Sequence, residues 1–329
     1  MRSRGSQVQI LPGAPRKLYG VPLYLTEAEV AELLTPAEAI AAVEASFERL
    51  ARGRVVNPPR VRAPLPDGDF AVMPCVDHEL GFAGLKTFAW LPGGTPFLVV
   101  LFSIAQARIE AIVEADTLGQ RRTAAASAVA AKHLARAGAT TLGVIGCGRQ
   151  AAAHVAALRV ALPALERVLV FCRDEERLRA FCAQHRCEPA ASQREAAGCD
   201  VVVTVTTSRD PVLHGEWLRD GALVCAVGAS EPDARELDDV VLQRAAFVCC
   251  DSREQARGES GDLIAPVAHG ILDWLEVHEL QDVVAGDLAG RSGEDDIVVF
   301  KSNGIAAWDL AAAARAVELA RAAGAGREL

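Results

Sequence analysis

The chain has 329 residues, 51% of them hydrophobic and 23% charged, a length that allows about two domains with well-buried cores and excludes a small disulfide-stapled fold. Its formal net charge of -9 argues against nucleic-acid binding and against attachment to an anionic membrane, because both need a basic surplus. The longest apolar stretch, Phe97 to Ala107, is shorter than the roughly 20 residues of a membrane span, and the Arg-rich start lacks the apolar core of a secretion signal. The expected location is the cytoplasm.

Residues 1–22 read as a flexible extension. From Thr26 to Arg52 the pattern is that of one or two amphipathic helices, with Thr35, Pro36 and Glu38 supplying an N-cap, a first-turn proline and a capping-box acid. Val55 to Leu65 is proline-punctuated and extended, and Phe70 to Val113 carries short strand-like runs broken by Pro92, Gly93, Gly94 and Pro96. These segments predict an α+β unit. An Ala-rich helix is expected over Thr123 to Arg136, ahead of a block of different character.

That block alternates apolar runs with helix-like stretches. The runs are Leu142 to Gly146, Val168 to Cys172, Val201 to Thr206, Leu223 to Gly228, Phe247 to Asp251 and Ile297 to Phe300. They are near-continuous in Val, Leu, Ile and Cys, as strands of a parallel sheet buried on both faces should be. A last Ala-rich helix, Ile305 to Ala323, carries Arg315, Glu318 and Arg321 on a polar stripe and can return the chain to the N-terminal unit. The predicted fold class is therefore α/β: a Rossmann dinucleotide-binding domain over 123–303 and a discontinuous α+β domain from 23–122 and 304–329. The nine cysteines form no CxxC pair and read as buried free thiols in a reducing compartment.

The sharpest local motif is Gly146-Cys147-Gly148-Arg149-Gln150-Ala151, a G-x-G-x-x-A between a strand and a helix over Arg149 to Leu162. Its first glycine permits the tight turn, its second lets the backbone approach a pyrophosphate, and Ala151 allows close helix packing. The helix N-terminus offers free N–H groups to the phosphates. The next strand ends Phe171-Cys172-Arg173-Asp174. Cys172 stands where NAD enzymes place a ribose-binding acid, and Arg173 suits the extra phosphate of NADP, so NADP(H) is favoured with NAD(H) possible. Asp174 is the alternative ribose ligand, or only the solvated start of a helix.

Three cations in the other unit form a second group: Arg60 after Pro58-Pro59, Lys86 in Gly84-Leu85-Lys86-Thr87, and Arg122 at the start of the expected helix. A lysine inside an apolar strand needs a partner, and a bound carboxylate would serve, although an internal or surface pairing is the commoner case. The seven histidines show no metal-binding spacing, and no metal site or hydrolase nucleophile is evident.

With these residues in view, the chain resembles the ornithine cyclodeaminase and mu-crystallin family. The resemblance rests on Arg122 through Lys132, Met73-Pro74, Gly84-Leu85-Lys86, Gly228-Ala229 through Pro232 to Arg235-Glu236-Leu237-Asp238, Glu259 through Leu263, and Phe300-Lys301-Ser302-Asn303-Gly304 leading to Asp309-Leu310. It implies a homodimer whose discontinuous domain carries both dimerisation and substrate binding. It also implies that Arg60, Met73, Lys86 and Arg122 surround the carboxylate of an amino or imino acid, with Lys86 as the catalytic residue. For the cofactor it implies Thr123, Thr206, Thr207, Val227, Gly228 and Ser302 beside the glycine motif residues and Cys172 and Arg173.

Three positions depart from the family pattern. Cyclodeaminases carry an Asp two residues into the Gly-Ala motif to handle the side-chain amine, where this chain has Ser230. Gly119 replaces a common Thr or Ser, and Asn303 a common Val. The expected activity is therefore NAD(P)H-dependent reduction of a cyclic imino acid, Δ1-pyrroline-2-carboxylate or Δ1-piperideine-2-carboxylate, to L-proline or L-pipecolate. Ornithine cyclodeamination, alanine dehydrogenase-like chemistry and non-catalytic NADP binding are the alternatives.

Overall fold

A computed structural model of the chain describes residues 20–329; most of the expected N-terminal extension lies outside the described residues. Two eight-stranded sheets organise the rest. The first strand of the parallel sheet is Thr141–Ile145, with Arg167–Phe171 and then Glu188–Pro189 on one side. On the other side follow Val201–Thr204, Leu223–Ala226, Ile297–Lys301, Ala245–Cys250 and Val277–Glu279. Every neighbouring pair runs parallel. The chain moves outward from Thr141–Ile145 on one side and then returns to pair Val201–Thr204 on the other, which opens a crevice at the carboxyl ends of those two strands.

All six apolar runs became strands of this sheet. Val201, Val202, Val203, Leu223, Val224 and Cys225 are fully buried, as a sheet covered on both faces requires.

The second sheet is mostly antiparallel and uses both ends of the described chain. Its order runs Arg327–Glu328, Leu23–Leu25, Arg108–Glu114, Phe97–Ser103, Phe82–Trp90, Gly68–Asp77 and Val55–Val56, with Val61–Leu65 also paired to Gly68–Asp77. The helices Pro36–Ala51 and Ala306–Ala323 pack together on this half through Phe47 and Trp308, whose rings meet edge-on at 5.2 Å. The polar stripe of the last helix is satisfied across the chain, Arg315 by Glu38 and Glu318, and Arg321 by Glu110.

Three local expectations are corrected. Thr35 does cap Pro36–Ala51 by accepting from the Glu38 N–H, but the Glu38 carboxylate goes to Arg315; the complete capping box is at Thr26 and Glu29. The Ala-rich helix spans Asp116–Leu134, so it begins well before Thr123, and Arg122 lies inside it. Its start has no side-chain cap of its own; the Glu27 carboxylate accepts from the N–H groups of Asp116 and Thr117. A carboxylate about 90 residues away in sequence leaves no local capping signal for sequence reading. Finally, Cys147 and Cys172 are joined as a disulfide, not free, because the adjacent parallel strands Thr141–Ile145 and Arg167–Phe171 bring their carboxyl ends together.

Candidate active site

The glycine turn follows Thr141–Ile145 as the spacing requires. Gly146 has φ +122°, a region L-residues rarely adopt, and a Cβ there would lie 2.7 Å from the Val205 carbonyl oxygen. A Cβ on Gly148 would meet nothing. The second glycine thus leaves open space in front of the helix Arg149–Ala161, whose N-terminus carries no side-chain cap. Uncapped N–H groups, a clear approach and a buried Ala151 behind them fit the pyrophosphate of a dinucleotide.

Asp174 accepts from the N–H groups of Glu176 and Arg177 and caps the helix Glu175–His185. It is the exposed N-cap of that helix. Arg173 is exposed at the strand's end.

A cavity of about 400 Å³ runs from this turn to the antiparallel sheet. On the dinucleotide side it is lined by Thr123, Arg149, Gln150, Thr206, Thr207 and Val227, with Gly228 and Ser302 beside them. On the other side stand Arg60, Met73, Lys86 and Arg122. Gly146, Cys147, Gly148, Ala151, Cys172 and Arg173 lie outside this cavity, around the turn and the end of the neighbouring strand.

Lys86 lies on Phe82–Trp90, opposite Met73 in the ladder, and is 4% exposed. Its Nζ is 3.1 Å from Asp309 Oδ1, and Arg122 Nε donates to the same oxygen at 2.9 Å. The partner that a buried lysine needs is therefore internal, the commoner of the two pairings the sequence left open. Burial, and next the neighbouring Arg122, lower the Lys86 pKa to about 8 against the pull of Asp309. Phe97 faces the same ammonium, its ring centroid 5.2 Å away, and Phe88 packs on Phe97. Gly119 leaves room beside it, since a Cβ there would come within 3.2 Å of Nζ.

Arg60 donates through Nη2 to the Asn303 carbonyl at 2.9 Å, and its Nη1 lies 3.8 Å from Glu259. Burial lowers its pKa. Two buried donors of this cluster, Arg60 Nε and Arg122 Nη1, have no hydrogen-bond partner among the described residues. Buried guanidinium N–H groups left so are costly, and two of them at one cavity fit a small carboxylate.

Sequence reasoning missed Asp309, Arg62 and Glu236 as site residues. Asp309 and Glu236 stood in the family motifs without a role. Glu236 is fully buried and accepts from the Thr206 and Gly228 N–H groups and the Thr204 and Thr206 hydroxyls. It fixes the spacing of the two loops that line the dinucleotide side. Arg62 lies at the cavity beside Ser230, donating to its carbonyl at 3.4 Å.

A parallel sheet with a phosphate-binding turn, facing a pocket of buried cations, defines an NAD(P)-dependent oxidoreductase. The chain belongs to the ornithine cyclodeaminase/mu-crystallin family, whose sequence pattern matches residues 21–323. It is 35% identical over 311 residues to the alanine dehydrogenase of Archaeoglobus fulgidus, covering 88% of this chain and 92% of that protein. It is 36% identical over 312 residues to the Δ1-pyrroline-2-carboxylate/Δ1-piperideine-2-carboxylate reductase of Azospirillum brasilense, covering 90% and 96%. Among solved structures, the Δ1-pyrroline-2-carboxylate reductase of Thermococcus litoralis, in complex with NADH and L-proline, superposes with a TM-score of 0.87 at 30% identity, covering 93% of this chain and 100% of that one. No helix among the described residues is long and apolar enough to cross a membrane.

Proposed function

We propose that the protein reduces a cyclic 2-imino acid, Δ1-pyrroline-2-carboxylate or Δ1-piperideine-2-carboxylate, to L-proline or L-pipecolate. The observation that carries this reading is the pair of unpartnered buried donors, Arg60 Nε and Arg122 Nη1, in one cavity with a lysine whose pKa is about 8. When bound, the nicotinamide dinucleotide supplies the hydride. The turn at Gly146 and Gly148 and the helix behind it hold its pyrophosphate, and Thr206, Gly228 and Ser302 border its nicotinamide end. Arg60 and Arg122 take the substrate carboxylate, which fixes C2 at the cofactor's face. Lys86 Nζ then gives a proton to the imine nitrogen, making C2 electrophilic, and its lowered pKa suits that transfer near neutral pH. Asp309 holds Lys86 and Arg122 in place. Met73, beneath the pocket, and Phe88 and Phe97 at its wall keep the region apolar.

Ser230 lines the cavity where a cyclodeaminase would carry a carboxylate, and a neutral hydroxyl favours reduction over ornithine cyclodeamination. Arg173, exposed at the strand end, favours NADP(H) over NAD(H). Phe70, Leu98, Phe102 and Ile109 are exposed on the antiparallel sheet, an apolar set that supports a homodimer formed through this half; sedimentation of the protein at monomer mass would overturn that assembly. The experiment for the activity is the loss of reduced-nicotinamide absorbance with each imine and each dinucleotide, with ornithine and pyruvate plus ammonia as parallel substrates. Rapid oxidation with the cyclic imines supports the reading. Silence with them, together with ammonia release from ornithine, overturns it.

A further inference from the structure

Cys147 and Cys172 differ from every other cysteine described. They are 25 residues apart in sequence, their Cα atoms are 5.7 Å apart, and their sulfurs are bonded, a separation at which a disulfide forms without backbone movement. Cys147 is the residue between the two glycines of the turn. Cys172 follows the last residue of Arg167–Phe171, where dinucleotide enzymes read the adenosine ribose. The Gly146 N–H donates to the Phe171 carbonyl at 2.9 Å, so the sulfur bridge continues the sheet one step past its last backbone bond, across the seat of that ribose.

The other thiols are set up differently. Burial raises the pKa of Cys75 and Cys225 to about 12 and that of Cys182 and Cys199 to about 11; it also pushes Cys249 and Cys250 well above the ordinary thiol value and raises the half-buried Cys187. Such thiols are poor nucleophiles. Cys147, although buried, sits one residue before Gly148, the N-cap of Arg149–Ala161, which no side chain caps, and Cys172 is only half-buried.

We propose that Cys147 and Cys172 form a reversible thiol–disulfide modification site that governs dinucleotide binding: the dithiol admits the adenosine half, and the disulfide weakens its hold. The oxidant is a low-molecular-weight disulfide such as glutathione disulfide. The accessible Cys172 thiolate attacks one glutathione sulfur, forming a mixed disulfide and releasing one glutathione thiolate, which takes up the proton Cys172 lost. The Cys147 thiolate then attacks Cys172 Sγ, forming the protein disulfide and releasing the second glutathione, which takes up the proton from Cys147. Two protein thiols are oxidised and one glutathione disulfide is reduced to two glutathiones. In the dithiol, Cys172 is free to reach a ribose hydroxyl and the turn can adjust to the nucleotide; in the disulfide, both sulfurs are committed to each other.

The inference rests on the reading that this turn binds a dinucleotide, and the test separates the two. The full chain is reduced with dithiothreitol, treated with excess glutathione disulfide, and alkylated under denaturing conditions for mass spectrometry, while NADPH and NADH binding is followed by nucleotide fluorescence. Accessible thiols should fall from nine to seven, and affinity should drop about tenfold, the worth of one good hydrogen bond to the ribose, returning on re-reduction. Cys172→Ser removes the attacking thiol and should abolish the response to oxidant, while Cys147→Ser should stop at the Cys172–glutathione mixed disulfide and form no protein disulfide, whatever their own affinity. Nine alkylated thiols after treatment, or a Cys147–Cys172 disulfide with unchanged nucleotide affinity, overturns the inference while leaving the enzyme reading intact. A reduced protein that binds neither nucleotide overturns both.

Discussion

Lys86 and Lys301 are both buried lysines paired with an aspartate, at 3.1 Å from Asp309 and 3.0 Å from Asp262. Lys301, fully buried, also donates to the Ala229 carbonyl at 2.6 Å, and Asp262 accepts from the N–H groups of Glu236 and Leu237. That pair is a closed clasp under the Gly228 to Ser230 loop. Lys86 lines the cavity, and its aspartate is shared with Arg122. The same two side-chain types thus make a structural tie away from the cavity, and a proton donor where burial and a second cation loosen the proton.

Substitution separates the two roles. Lys86→Met should lower turnover by about 10²–10⁴-fold, the usual contribution of a general acid, with dinucleotide affinity retained; a fully active variant would remove Lys86 from the chemistry. Lys301→Met leaves Asp262 buried without its cation and should cost about 3–5 kcal/mol of stability, seen as a lower denaturation midpoint. A Lys301→Met protein as stable as the parent would show that the clasp carries no stability.

Arg122→Met should raise KM for the imine by about ten- to a hundredfold, as expected for lost hydrogen bonds to a charged group. It should also move the alkaline limb of the turnover profile upward from about pH 8, because Arg122 is one of the groups lowering the Lys86 pKa. An unmoved limb would mean that another group sets it. Folding responds with the opposite sign: the unfolded chain keeps the lysine proton above pH 8 where the folded chain releases it, so the stability contributed at Lys86 rises with pH through that window while activity falls. The smallest effect is expected from Arg173→Asp, which should shift the ratio of kcat/KM values from NADPH toward NADH; no change in that ratio would remove Arg173 from cofactor choice.

The parallel sheet was legible because its signals are local. Continuous apolar runs such as Val201 to Val203 need no partner to declare a buried strand, and Gly146 and Gly148 announce their turn by their own lack of side chains. The cation pocket was legible only in part. Arg60, Lys86 and Arg122 stood out as cations in the sequence, Met73 came only with the family motif, and all four converge on one cavity. What organises them is distant in the chain: Asp309 lies 187 positions from Arg122, and Glu27 starts the Arg122 helix from 89 positions before Asp116. Periodicity cannot report a partner at that distance, and the Cys147–Cys172 bridge was hidden for the same reason, since only the closing of two parallel strands makes them neighbours.

The helix Asp116–Leu134 belongs to both halves of the molecule: Arg122 reaches the substrate end and the next residue, Thr123, borders the dinucleotide side. The helix therefore acts as a ruler whose phase matters more than its composition. Removing one residue before Arg122 would turn everything beyond it by about 100° and swing the guanidinium off Asp309. Exchanging the parallel-sheet half between relatives should succeed only when the seam preserves whole helical turns.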